Sequence, residues 1–119
     1  VVGELAVTSQ EIPTSSPTAG GPAVGDFTAA LLRELGVVEM IGVPDSQLHD
    51  ALASLPSEIA VTYTVREDTA VAIAAGKRLA RCRAGVFMKN AGIGTSMDAI
   101  VSLLIGCEIS MPALLVVPQ

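Results

Sequence analysis

Short apolar runs alternate strictly with longer segments of helical periodicity from Asp26 onward, and no other property of the chain narrows its fold as far. Residues 37–43, 59–64, 85–88 and 113–117 read as short strands that are apolar on both faces. Such strands belong to parallel sheets, whose crossover helices cover both sides. Between them, Phe27, Leu31, Leu32 and Leu35 recur at helical spacing, with Asp26 placed as an N-cap and Gly36 as a terminator. A second helix is expected over residues 46–55, carrying Leu48, Ala51, Leu52 and Leu55 and stopped by Pro56. A third is expected over 67–82, and a fourth over 96–109 after a loop at 89–95. The expected architecture is α/β: an open parallel sheet with helices on both faces.

Residues 1–25 hold Thr8-Ser9-Gln10, Pro13-Thr14-Ser15-Ser16-Pro17 and Gly20-Gly21-Pro22, too little apolar surface to offset the entropy of ordering. They are expected to form a flexible extension, with the domain over 26–119. Half of the chain is apolar, yet only 3% is aromatic and Trp is absent, so the core must be built from Ala, Val, Leu and Ile. Small aliphatic side chains suit close packing of helix on sheet. A formal charge of −5 argues against nonspecific nucleic-acid binding, which needs a basic surface. Cys82 and Cys107 have neither metal-ligand spacing nor the density of a secreted disulfide scaffold, so no metal site is expected on this chain. No apolar run is long enough to cross a bilayer, and a soluble cytoplasmic protein is expected.

The candidate chemistry lies at the ends of the predicted strands. Glu67 stands at the mouth of a helix made almost entirely of small apolar residues, Ala70-Val71-Ala72-Ile73-Ala74-Ala75-Gly76. Carboxylates are rarely tolerated against an apolar face unless paired or functional. A helix-dipole role at the N-terminus is the alternative. Arg66 and Asp68 flank the acid, and the sequence leaves open which of the two carboxylates Arg66 pairs with. Upstream lies Gly42-Val43-Pro44-Asp45-Ser46; downstream lies Met88-Lys89-Asn90-Ala91-Gly92-Ile93-Gly94. Asp45 and Ser46 are equally suited to capping a helix and to contacting an anion at its start. His49, the one histidine, is either a surface residue or a cationic group near a substrate.

The colinear set of these segments, from about Phe27 to Val117, resembles the pyrimidine-binding (PYR) domain of thiamine-diphosphate-dependent decarboxylases, and most closely the sulfopyruvate and phosphonopyruvate decarboxylases. The resemblance implies that Glu67 is the catalytic acid, sharing a proton with a ring nitrogen of the cofactor's aminopyrimidine. It implies that Asn90, Gly92 and Gly94 border the cofactor, and that Pro44, Asp45, Ser46, His49 and Asn90 shape the substrate pocket. Lys89 and Ala91 depart from the family's Gln and Ser. Mg2+ and the cofactor's diphosphate are expected on a separate β-type subunit, since this chain has no Gly-Asp-Gly motif. An obligate hetero-oligomer acting on a small anionic 2-oxo acid follows. The family's domain continues through further elements, so the sequence reads as shortened at its C-terminal end, with one sheet edge in need of cover. A noncatalytic, partner-stabilising relative of the same fold is the competing reading, and a flavodoxin-like nucleotide-binding domain a third.

Overall fold

Alternating residues of the second, fourth and fifth strands divide the apolar side chains between two cores, one on each side of a single sheet; the third strand, expected to be buried on both faces, is largely exposed at the sheet edge. The computed structural model describes residues 6–9 and 22–117. Among them, β1 (Ala6–Ser9), β2 (Glu39–Gly42), β3 (Ala60–Tyr63), β4 (Ala84–Lys89) and β5 (Ala113–Val117) form a sheet in the order β1-β5-β4-β2-β3. Every neighbouring pair is parallel, as the alternation of apolar runs and helical segments requires. Met40, Phe87, Ala113, Leu115 and Val117 point to the side covered by α1 (Pro22–Glu34) and α2 (Ser46–Ala53), where they meet Leu32, Leu48 and Leu52. Ile41, Ala84, Val86, Met88, Leu114 and Val116 point to the other side. That side is covered by α3 (Glu67–Leu79), α4 (Asn90–Ala99) and a π-helix (Ile100–Gly106).

Local chemistry explains where the helices end. Gly36 has φ +70 and closes α1, with the Val37 N–H donating to the Leu32 carbonyl and the Gly36 N–H to that of Arg33. This paired closure needs the left-handed conformation that glycine adopts without strain. The end of α3 repeats the pattern with Cys82 donating to Lys77 and Arg81 to Arg78, but here the left-handed position is Arg81 (φ 64). The helix therefore stops at Leu79, short of the expected Cys82. Glu39 ties three elements together, accepting a hydrogen bond from the Thr62 hydroxyl on β3 and pairing with Lys77 on α3. Burial raises the affinity of the Glu39 carboxyl for its proton, but the Lys77 and Thr62 hydrogen bonds outweigh it and hold the group below the ordinary carboxylate value.

Several expectations need correction. Ala6–Ser9 is not part of a flexible extension: it pairs with β5, from Ala6 opposite Ala113 to Ser9 opposite Val116. Residues 1–5 and 10–21 lie outside the described residues. Helix α1 starts at Pro22, so Asp26 is interior and does not cap it; proline suits a first helical turn because that N–H has no helical partner. The expected loop at 89–95 does not exist as a loop, because α4 begins at Asn90 directly after β4. The expected continuous helix over 96–109 instead widens into the π-helix at Ile100, with the Cys107 N–H donating to the Ser102 carbonyl. Ile100 and Leu104 still reach the core. Phe27, which recurs at helical spacing with Leu31, Leu32 and Leu35, is 60% exposed and lines a shallow apolar groove with Leu31, Met40 and Leu115, on the side of the sheet away from α3 and α4.

Candidate functional site

Because β2, β3 and β4 are adjacent and parallel, the segments that follow them all emerge at one edge of the sheet. This carboxyl edge is where open α/β folds place their ligands. Glu67 opens α3 after β3, Asn90 opens α4 after β4, and Pro44, Asp45 and Ser46 follow β2. Helices α3 and α4 then pack together on the same face of the sheet, which brings Glu67 against Gly92.

That contact is close. A Cβ at Gly92 would stand 2.6 Å from Glu67 Cγ and 3.0 Å from both Cδ and Oε1. Only glycine leaves room there, so the half-buried Glu67 side chain lies in a slot that any other residue would fill. Beneath the slot, the Ser96 hydroxyl donates to the Gly92 carbonyl at 2.8 Å, with the Ile93 carbonyl at 3.3 Å and Met88 Sδ at 3.6 Å. Ser96 is fully buried, and sequence reasoning missed it. Its position four residues after Gly92, one helical turn on, was the available signal, obscured because 89–95 read as a loop.

Arg66 does not take Glu67. Its guanidinium binds Asp68 through two hydrogen bonds, Nε to Oδ1 at 3.0 Å and Nη2 to Oδ2 at 2.7 Å. The pairing holds the Asp68 carboxyl below, and the Arg66 guanidinium above, their ordinary values. Among the described residues, the Glu67 carboxylate has no hydrogen-bond or ion-pair partner, so its oxygens are available to a ligand.

The remaining candidates are placed less centrally. Asn90 is exposed and its Oδ1 accepts from the Ala91 N–H at 2.8 Å. Gly94 is also exposed, with open space where a Cβ would be. Asp45 caps α2, its Oδ1 accepting from the Gln47 N–H at 2.8 Å, and Ser46 is the first residue of that helix. Pro44 and His49 are exposed, and α2 lies across the sheet from α3 and α4. The carboxyl edge thus gathers all the candidates, and Glu67 and Gly92 meet directly there. Among the described residues, no cluster of three or more His, Cys, Asp or Glu side chains could hold a metal ion. Nor is any helix of the described residues long and apolar enough to cross a membrane.

Residues 22–117 match the family described as thiamine pyrophosphate enzyme, N-terminal TPP binding domain. The chain belongs to this family. Solved structures similar to this thiamine pyrophosphate enzyme domain include benzoylformate decarboxylase from Polynucleobacter necessarius, with a TM-score of 0.65 and 28% identity over 81% of this chain and 18% of that one. A Mycobacterium smegmatis protein assigned as a thiamin diphosphate-dependent enzyme aligns with a TM-score of 0.58 and 32% identity, over 66% of this chain and 16% of that one. The chain therefore spans less than a fifth of the length of either relative. No curated protein sequence gives a significant match. The residues present suit an aminopyrimidine-binding role: an acid with no partner among the described residues stands at the carboxyl edge, beside a glycine whose missing Cβ leaves its slot open.

Proposed function

We propose that the chain supplies the pyrimidine-binding part of a thiamine-diphosphate-dependent 2-oxo acid decarboxylase, acting on phosphonopyruvate or sulfopyruvate. A separate diphosphate-binding β-type subunit completes the site and carries Mg2+, making the working enzyme a hetero-oligomer. The observation that carries the reading is the Glu67 carboxylate seated against Gly92 with no partner among the described residues. Bound thiamine diphosphate would supply a nucleophilic carbon and an electron sink for the carboxyl group's bonding pair. Glu67 would hold a proton against the pyrimidine ring, and the Arg66–Asp68 pair keeps the neighbouring cation from neutralising that acid. The first turn of α4, with Asn90 and Gly92, would border the cofactor. The α2 start, with Pro44, Asp45, Ser46 and His49, would face the second anionic group of the substrate. The benzoylformate decarboxylase neighbour supports decarboxylation as the reaction type.

Coexpression with a diphosphate-binding subunit, followed by CO2 release from both acids with and without thiamine diphosphate, tests the proposal. Turnover should depend on the cofactor, and Glu67→Gln should lower it about 10²–10⁴-fold, the usual worth of a positioned acid–base group, while the subunits still associate. A stable complex that turns over neither acid, or a Glu67→Gln enzyme of undiminished rate, would overturn it.

A further inference from the structure

We propose that Ser96 is a positioning residue for Glu67, acting through the Gly92 peptide; its bearing on activity rests on the reading of Glu67 above. Ser96 is the one fully enclosed polar side chain among the described residues. Neither packing nor helix energetics accounts for its hydroxyl. Within an α-helix, the Gly92 carbonyl already accepts the backbone N–H four residues on, so alanine at 96 would leave no group unsatisfied. Alanine is also the better helix former, and a serine bonding back to the carbonyl four residues earlier slightly weakens and bends its helix.

The hydroxyl does act at one place. It adds a second donor, at 2.8 Å, to the carbonyl of the glycine on which Glu67 rests. The first half of α4 is its softest part, because Gly92 and Gly94 both fall in it and glycine has the greatest backbone freedom. On its other side, Ser96 touches Met88, near the end of the central strand β4. The one hydroxyl proton goes to the Gly92 carbonyl while the oxygen packs on Met88 at the rigid strand end, so the side chain holds the Gly92 surface at the distance that seats the Glu67 carboxylate. If it is lost, the helix persists, but its first turn relaxes and the wall beside Glu67 shifts.

The test uses the full chain, isotopically labelled and free of cofactor. The Glu67 Cδ signal is assigned by its loss in Glu67→Gln. Ser96→Ala should leave the urea midpoint nearly unchanged, move the Glu67 Cδ chemical shift, and speed exchange about tenfold at the amides of residues 94–96, whose helical acceptors are the first-turn carbonyls of α4, as expected for a locally loosened segment. Ser96→Thr keeps the hydroxyl and should restore both signals. A Glu67 signal that stays put in Ser96→Ala, or a change that Ser96→Thr does not reverse, would show that Ser96 merely fills the core. Since neither readout involves turnover, failure here is distinguishable from failure of the CO2-release assay.

Discussion

Replacing Gly92 with alanine should separate the stability of the domain from its chemistry. The new Cβ would lie 2.6 Å from Glu67 Cγ, against an ordinary carbon–carbon separation of about 3.6 Å, so the Glu67 side chain must retreat by about 1 Å. Since Cγ is close to the backbone, the retreat requires a change of χ angles, at about 0.5–1.5 kcal/mol for an off-rotamer conformation. Alanine in place of glycine within a helix returns about 1 kcal/mol. The two effects nearly cancel, and the melting temperature of the variant should stay within about 5 °C of the parent. Activity should not survive as well, because a misplacement of about 1 Å in a reacting group costs on the order of 10²-fold in rate. The assay is cofactor-dependent CO2 release by the assembled enzyme, with the melting curve of the chain measured alongside. Full activity in Gly92→Ala would refute the claim that this slot positions the acid. A collapse in stability would show that the close contact is instead a packing requirement.

Two further predictions concern stability. Arg81 is held at φ 64, where a side chain is strained, so Arg81→Gly should stabilise the chain by about 1 kcal/mol in urea unfolding; an unchanged or lower midpoint would argue against that strain. The Glu39 carboxyl is held below its ordinary value, so its contribution is present above that value and disappears as pH falls through the depressed one. Lys77 is held above its ordinary value by the hydrogen bond and charge of Glu39, so its share persists until pH rises through that raised value. Glu39→Gln should accordingly be less stable by about 1 kcal/mol at neutral pH, with the gap narrowing as pH falls below the ordinary carboxylate range, and a gap that stays constant down to acid pH would contradict the linkage.

The strands were legible because a strand buried on both faces must be apolar along its buried length, as β5 is throughout and as β2 and β4 are apart from Glu39 and Lys89 at their ends. Gly36 was legible as a terminator because its left-handed role is local. The start of α4 was not legible. Gly92 and Gly94 argue for a loop by propensity, and only packing of α3 against α4 shows that Gly92 is there to admit Glu67. Ser96 stayed hidden for the same reason, since its role depends on a carbonyl inside the misread segment.

The sequence by itself determined a parallel α/β sheet and the acid at the head of the third helix, because periodicity and burial are properties of consecutive residues. Tertiary structure alone decided three other matters: that Ala6–Ser9 adds a strand beside β5, that Arg66 turns to Asp68, and that Glu67 rests on Gly92. The first and last join residues far apart in the chain, and a contact of that kind depends on how the backbone closes in space. The second is local, yet it turns on a choice between two adjacent carboxylates that only side-chain geometry resolves.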